Sequence, residues 1–328
     1  MKSIFSFVKI DRFVLAILCT VLLAYLFPGF GSDDSPIPLD TISSIGVSLI
    51  FFFYGLKLSP EKIKLGLKNW KLHLVIQSTT FLIFPLLVLL FHPFLQGEQQ
   101  ETIWLSMFFL AALPSTVSSS VVMVSIAKGN IPAAIFNASI SGIIGIVLTP
   151  LWMGLFLQSQ EEGAFDFTQI YGKLLLEILL PVVLGILMQR KGHWLAVKYS
   201  KELSLFDRAV ILLIVYKSFA ESFAGGAFSA IGAADLVVIV LLVLALFFAV
   251  YGVVYWITTL LSFSLEDKIT ALFCGSKKSL VHGTVFSKIL FGNSAAVGLI
   301  LLPLMLFHAI QIIIISTIAG RYGKKTGL

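Results

Sequence analysis

Apolar runs long enough to cross a lipid bilayer recur along the whole chain, and they constrain the fold more than any other feature. A spanning helix needs about 20 mostly apolar residues. Only 12% of the 328 residues are charged, whereas soluble domains have roughly 25%. The apolar residues do not alternate with polar ones, as they would in an outer-membrane β-barrel. The sequence therefore predicts an all-α, multi-pass membrane protein surrounded by the lipid bilayer.

Ten spans account for the apolar runs. They cover residues 12–29, 39–57, 71–92, 102–127, 131–157, 167–189, 206–223, 233–261, 268–291 and 295–320. All but five of the 23 lysines and arginines then fall on one side, while the opposite loops carry acidic residues and no basic ones. Because basic loops stay in the cytoplasm, we expect both termini there, in a plasma membrane such as the bacterial inner membrane.

The remaining composition excludes several other classes. The net charge of +6 is expected from cytoplasmic loops and does not indicate nucleic-acid binding. Cys19 and Cys274 lie far apart in apolar segments and are expected to be core residues, with no disulfide or metal site. The segment 59–70, SPEKIKLGLKNW, has the pattern of a basic amphipathic helix on the inner membrane surface.

The two halves of the chain, 1–160 and 161–328, each hold five predicted spans. A repeated unit with an odd number of spans must insert the second time upside down, which is the layout of many secondary transporters. Weak self-similarity supports this interpretation, since Gly129–Asn130 and Gly292–Asn293 are 163 residues apart and each pair lies just before an Ala-Ala. We therefore predict two inverted five-helix repeats.

Two polar segments fall at equivalent places in these halves. They are ALPSTVSSSVV (111–121) and CGSKKSLVHG (274–283). Pro114 removes a backbone donor, so the fourth span is expected to break there. A broken helix in lipid is tolerated where it is buried or lines a watery cavity, and such breaks mark transport sites. The alternative is that the small residues only allow close helix packing.

Lys277 and Lys278 lie inside the second polar segment. An ammonium group at the centre of a spanning helix costs roughly 2.5–3.5 kcal/mol, so something must compensate. Either lysine could take the place of a bound cation and hold the broken half-helices together, bind an anionic substrate, or lose and regain a proton during transport. The alternative without a functional role is that the lysine side chains extend (snorkel) towards the membrane surface. Adjacent helical residues point about 100° apart, so we expect the two lysines to have different roles.

The stretches LPSTVSSSVVMVSIAKGNIPAAIFNASISGIIGIVLTP (113–150) and FCGSKKSL (273–280) resemble the bile acid:sodium symporter superfamily, and within it the SBF-like bacterial branch. The resemblance covers nearly the whole chain. It implies that spans 1, 2, 6 and 7 form a panel domain and that spans 3–5 and 8–10 form a core domain. Spans 4 and 9 would be discontinuous and cross, and substrate would bind between the domains during alternating access.

The chain departs from that family at the ion site. The resemblance implies a glutamate in the span-9 break, where this chain has Phe273, and a nearby glutamine, where it has Lys277. Ser119 and Ser120 stand near the family's Ser-Asn pair. A site with an ammonium and no carboxylate repels sodium, so the usual two-ion sodium coupling is not expected, and a proton remains possible.

Other intramembrane polar residues have two interpretations each. Glu177 either pairs with Lys173 or serves as a proton or cation ligand. His282 is either a packed neutral side chain or a proton relay. The resemblance places family ligands in spans 3 and 5, which makes Gln77 and Asn137 candidates. The predicted substrate- or ion-binding residues are Gln77, Pro114, Ser115, Thr116, Ser118, Ser119, Ser120, Asn137, Glu177, Lys277, Lys278, Ser279 and His282.

The function predicted from these features is secondary active transport, with a small organic anion as substrate. A regulator of ion homeostasis or a channel is the alternative, although the polar residues cluster in two breaks and not along a continuous pore. An intramembrane enzyme is disfavoured because no HExxH, GxSxG or paired intramembrane aspartates are present. No cofactor is expected beyond a possible coupling cation. The sequence leaves the oligomeric state open.

Overall fold

The computed structural model describes residues 12–31, 35, 37–57, 69–94, 97–116, 118–157, 167–229, 231–291 and 296–325. Within these ranges the regular secondary structure is entirely helical. The α-helices are α1 (Arg12–Leu26), α2 (Leu39–Lys57), α3 (Trp70–Ser78), α4 (Phe84–Leu89), α5 (Glu98–Ala112), α6 (Ser118–Ile126), α7 (Ile131–Leu157), α8 (Phe167–Leu174), α9 (Leu180–Leu187), α10 (Gln189–Lys198), α11 (Ser200–Ala224), α12 (Ala233–Leu260), α13 (Leu265–Gly275), α14 (Leu280–Phe291) and α15 (Val297–Lys325).

Two short π-helical turns interrupt otherwise continuous helices. Thr79–Ile83 joins α3 to α4, and Leu175–Leu179 joins α8 to α9. Each turn comes directly before a helix with a proline in its first turn, Pro85 or Pro181. Proline has no N–H to donate, so the regular hydrogen-bond pattern cannot continue through it, and main-chain carbonyls are freed in the preceding turn.

Six helical stretches are long and apolar enough to cross a membrane. They are Leu39–Lys57, Trp70–Phe94, Ile131–Leu157, Thr168–Leu187, Ala233–Leu260 and Val297–Gly323. Each corresponds to a predicted span, and for α2 and α7 the ends agree with the prediction to the residue. The prediction of an all-helical membrane protein is confirmed.

The two polar segments interrupt their helices. The chain leaves the helix after Ala112 and re-enters it at Ser118, and it does so again between Gly275 and Leu280. Leu113 is extended, with φ −72° and ψ 153°, because a residue before proline is pushed out of the helical region. The break predicted at Pro114 is confirmed.

Helix packing buries both breaks, since Leu113, Ser115 and Lys277 are each at most 1% exposed. α2 packs against α9 and α11, and α1 packs against α11. On the other side, α15 packs against α5, α12 and α14, and α6 packs against α7.

Two predictions fall outside the described residues. The predicted amphipathic helix 59–70 lies almost wholly outside them, since only residues 69 and 70 are covered, and Gly292–Asn293 also lies outside them.

Candidate functional site

The two broken segments meet and bond to each other. The Ser279 main-chain N–H donates to the Pro114 carbonyl at 2.9 Å. The Ser115 hydroxyl donates to the Cys274 carbonyl at 2.5 Å. Each break leaves main-chain donors and acceptors without helical partners, and an apolar surrounding offers none. The crossing therefore satisfies part of each break with the other.

Hydroxyl groups satisfy further main-chain groups around the crossing. The Ser115 N–H donates to the Ser141 hydroxyl of α7 at 2.9 Å, and the Thr149 hydroxyl donates to the Ala112 carbonyl at 2.8 Å. The Ser120 hydroxyl donates to the Phe273 carbonyl at 3.3 Å. The serines and threonines thus act as substitutes for helical hydrogen bonds. The side chain of Ser118 lies outside the described residues.

Lys278 lies at the centre of the crossing and is fully buried. Its Nζ donates to the main-chain carbonyls of Thr80 at 2.7 Å, Ala111 at 2.6 Å and Leu113 at 2.7 Å. It also lies 4.1 Å from the centre of the Phe84 ring. The ammonium is therefore surrounded by carbonyl oxygens and one aromatic face.

Gln311 of α15 holds the main chain of Lys278 from both sides. Its Oε1 accepts from the Lys278 N–H at 2.8 Å, and its Nε2 donates to the Lys278 carbonyl at 2.9 Å. Gln311 is fully buried and was missed in the sequence analysis. A single amide in the otherwise apolar run of α15 was the signal that could have found it.

Lys277 is also fully buried, but its surroundings differ. Its Nζ donates to the Ser119 hydroxyl at 2.7 Å, and the Ser119 and Thr116 hydroxyls share a hydrogen bond of 2.7 Å. The two adjacent lysines thus bond to different partners. The helical spacing of about 100° is not the reason, because both lie in the break between α13 and α14, and different roles for them stay a prediction. Lys278 bonds to main-chain carbonyls, whereas Lys277 bonds to side-chain hydroxyls.

A cavity of about 270 Å³ lies between two sets of helices and ends at the crossing. Thr116, Ser119, Ser279 and His282 supply the polar wall that comes from the breaks. The facing side chains come from α1, α2 and α11, and α15 contributes two further residues. These facing and flanking side chains are Phe13, Ile50, Phe51, Tyr54, Lys57, Ser204, Asp207, Arg208, Ile211, His308 and Ile312.

The charged part of the cavity lining was not predicted as a site. Lys57 is the last residue of α2, and Asp207 and Arg208 lie about two turns after the start of α11. From the sequence, Lys57 and Arg208 are expected only to belong to the basic residues of the cytoplasmic side. The structure adds that they line the cavity, which therefore lies towards the predicted cytoplasmic face.

His282 forms part of the cavity wall and is 4% exposed. Its Nδ1 and the Ser279 hydroxyl share a hydrogen bond of 2.9 Å, and its ring meets Phe51 edge-on at 5.4 Å. Its Nε2 is buried and has no hydrogen-bond partner among the described residues. The structure brings His282 and Ser279 together, and both roles predicted for His282 remain open.

Gln77 and Asn137 form a second polar cluster, between α3 and α7. Gln77 Nε2 donates to the carbonyl oxygen of Asn137 at 3.2 Å and to its Oδ1 at 3.1 Å. Asn137 Nδ2 donates to His73 Nδ1 at 2.8 Å. Neither predicted residue lines the cavity, so a binding role for them stays a prediction.

Pro114 and Glu177 occupy different surroundings. The Pro114 ring packs on Gly145 of α7, where an added Cβ would lie 2.8 Å from the ring Cγ. Glu177 lies in the second π turn, and its Oε2 is buried without a hydrogen bond to any described residue. Lys173 is exposed, and within the described part of the chain it forms no ion pair with Glu177.

A separate polar cluster joins α14 to α2 and α11 at the end of α2 away from the cavity. Lys288 Nζ donates to the Asp40 carbonyl at 2.8 Å and to the hydroxyls of Ser43 at 2.7 Å and Ser44 at 2.6 Å. Lys217 pairs with the Asp40 carboxylate at 2.6 Å. We call these five residues the Lys288 cluster.

The chain has apolar helices long enough to span a membrane, two broken helices whose breaks bond to each other, and a cavity that ends at these breaks. These features are typical of a multi-pass membrane transporter. A model of the SBF-like CPA transporter family matches residues 11–324. The chain belongs to this family. Relatives include the Pseudomonas aeruginosa protein PA2026, which is 39% identical over 96% of this chain and 93% of its own length. YfeH of Escherichia coli is 37% identical, covering 97% and 94%. Sodium/bile acid cotransporter 7 of Rattus norvegicus is 31% identical, covering 95% and 92%.

Proposed function

We propose that the protein is a secondary active transporter that moves a small organic anion by alternating access. The observation that carries the proposal is the cavity, which lies between α1, α2 and α11 on one side and the crossing on the other. Ligand sites of such transporters lie where broken helices meet near the midplane of the membrane. The rat relative is named a cotransporter, and we extend cotransport to this chain as part of the proposal.

The proposed architecture consists of ten spanning helices in two inverted repeats, 1–160 and 161–328. Spans 1, 2, 6 and 7 form the panel domain, and spans 3–5 and 8–10 form the core domain. Both termini lie in the cytoplasm, and the membrane is a bacterial inner membrane. Packing of α1, α2, α9 and α11 against one another supports the panel grouping.

The cavity lining supports an anionic substrate. Arg208 and Lys57 line it directly together with one carboxylate, Asp207, and the Lys277 ammonium lies behind Ser119, one hydrogen bond from the cavity wall. The cations around the cavity therefore outnumber the carboxylate. Hydroxyl groups and an imidazole complete the polar wall, while Ile50, Ile211 and Ile312 provide apolar contact. This mixture of an apolar body and few oriented polar groups is typical of small-molecule sites.

The first test is a thermal-stability screen of the purified protein against organic carboxylates, sulfonates and steroid acids. A ligand that binds only the folded state raises the melting temperature. We expect at least one anion to do so, and Arg208→Gln to weaken the shift. The matched control is Lys201→Gln, an exposed cation of the same helix that does not line the cavity.

In the second test the protein is reconstituted into proteoliposomes. They are loaded with the anion that binds, and uptake of its labelled form by counterflow is measured. A secondary transporter exchanges the labelled anion across the membrane with a rate that saturates. A flux that does not saturate would favour the channel alternative. Binding of organic cations in place of anions would contradict the proposed substrate class.

A further inference from the structure

We propose that the Lys278 ammonium is a built-in cation that occupies the place of a coupling metal ion, so that the crossing of the broken helices binds no sodium. This inference deepens the proposed transport function. Its statement about ion coupling rests on that function, whereas its statement about the Lys278 site does not. It is carried by the ligands of Nζ, which are main-chain oxygens from separate parts of the fold.

The coordination of Nζ uses all three N–H donors of the ammonium group. A lysine ammonium has three N–H donors and no acceptor. Three carbonyl oxygens, those of Thr80, Ala111 and Leu113, lie 2.6–2.7 Å from Nζ. Charge-assisted hydrogen bonds have this length. One donor is therefore available for each oxygen, and full burial leaves no contact with solvent.

These oxygens are the groups that a bound cation would require. Ala111 and Leu113 lie at the broken C-terminal end of α5, where helical carbonyls lack partners and the helix dipole is negative. Thr80 lies in the π turn, where the regular carbonyl pairing is interrupted. Freed carbonyls of broken helices are what coordinates sodium in secondary transporters. In this chain Lys278 already binds them.

The space and the charge around Nζ also exclude a second cation. The Phe84 ring centre lies 4.1 Å from Nζ and closes a further side with its negative face. Neither 113–116 nor 276–279 contains a carboxylate that could balance another positive charge. A sodium ion beside Lys278 would meet Coulomb repulsion without a compensating anion.

The tether changes what the site can do. A sodium ion can enter and leave in every transport cycle, and its gradient can drive the substrate. The Lys278 ammonium is covalently attached, and Gln311 holds its main chain through two hydrogen bonds. The crossing therefore stays locked throughout the cycle, and any coupling ion must bind elsewhere.

The experiment compares the melting temperature of the purified protein in sodium, potassium and choline chloride at matched ionic strength. We expect any sodium-specific rise of the unmodified protein to persist in Lys278→Arg, because no sodium binds at the crossing. We expect Lys278→Ala to lower the melting temperature more than Lys277→Ala does. Lys278 Nζ has three carbonyl partners, whereas Lys277 Nζ has a single hydroxyl partner among the described residues. Lys277→Ala is the matched control, since both lysines are fully buried and adjacent.

Chemical rescue makes the test specific. Methylammonium carries three N–H donors and fits the space left by the lysine side chain, whereas tetramethylammonium carries none. We expect methylammonium to restore part of the stability of Lys278→Ala, and tetramethylammonium to restore none. A sodium-specific rise that Lys278→Arg abolishes, or a folded Lys278→Ala without selective rescue, overturns the proposal.

If Lys278→Ala does not fold, binding of radioactive sodium to the unmodified protein decides the question. Saturable sodium binding that Lys278→Arg abolishes would place sodium at the crossing and contradicts the proposal. No sodium binding, or binding that Lys278→Arg leaves unchanged, supports it. None of these measurements uses a transported substrate. A failure here is therefore distinct from a failure of the anion screen and the counterflow assay.

Discussion

At the residue scale, the two lysines show how a step of one residue along the backbone separates two kinds of environment. Lys278 bonds to main-chain carbonyls, and Lys277 bonds to Ser119, whose hydroxyl also contacts Thr116 in the cavity wall. A charged group in an apolar surrounding must keep its hydrogen-bond partners. Ser119 is therefore expected to contribute to stability as well as to the cavity lining.

We predict that Ser119→Ala destabilises the protein by roughly 1–3 kcal/mol, since it removes the hydroxyl that accepts from the buried Lys277 ammonium. The measurement is the melting temperature in detergent. Ser125→Ala is the control, because Ser125 is exposed on the same helix. Equal melting temperatures for the two variants would show that Lys277 does not depend on Ser119.

At the element scale, α2 and α9 approach until their main chains are in contact. A Cβ added to Gly55 would collide with the Val182 carbonyl, and one added to Gly185 would collide with the Phe52 carbonyl. Small residues allow such close approach in membrane helices, where packing and not apolar burial drives association. Gly55 and Gly185 therefore set the distance between these two helices.

We predict that Gly55→Ala or Gly185→Ala destabilises the protein by about 1–3 kcal/mol or more, because the helices must move apart. The control is Gly252→Ala in α12, where nothing lies within 4 Å of the added Cβ. That variant should be neutral or gain up to about 1 kcal/mol, since alanine favours the helix. Melting temperatures check both expectations, and a Gly55→Ala protein as stable as Gly252→Ala would contradict them.

At the scale of the whole molecule, the cavity and the Lys288 cluster lie at opposite ends of α2. Lys57 at one end lines the cavity, and Asp40 at the other belongs to the cluster. They are 17 positions apart in one helix, which corresponds to about 25 Å. In the proposed cycle, the cluster closes the side opposite the cavity and must open when access alternates.

We predict that Lys288→Ala shifts the population towards a state open on the Asp40 side, by about tenfold, since several hydrogen bonds to a charged group are lost. The variant Ile50→Cys places a thiol in the cavity wall, and Cys19→Ala and Cys274→Ala remove the native thiols. The labelling rate of this thiol then measures how accessible the cavity is. An impermeant thiol reagent added on the Asp40 side should label it faster.

The matched control for this experiment is Lys173→Ala, which removes an exposed lysine that lies outside the Lys288 cluster. It should leave the labelling rate unchanged. If Lys288→Ala and Lys173→Ala label at the same rate, the cluster does not hold that side closed.

The sequence by itself determined the apolar helices, the ends of α2 and α7 and the break at Pro114, but not the helix α10. The physical reason is local: in lipid each segment must satisfy its own main-chain hydrogen bonds, so apolar runs become helices and a proline interrupts them. The same local reasoning found the two polar segments that meet at the crossing. The ten-span inverted repeat remains a proposal that this reasoning supports.

Only the tertiary structure decided which lysine is held like an ion, which amide supports it and which charges line the cavity. Lys278 bonds to carbonyls that lie 165 to 198 positions away in the chain, and Lys288 bonds to α2 across 244 to 248 positions. A hydrophobic pattern gives the face of a helix but not the partner that this face meets. The roles of these side chains follow from contacts between distant segments, which exist only once the helices have packed.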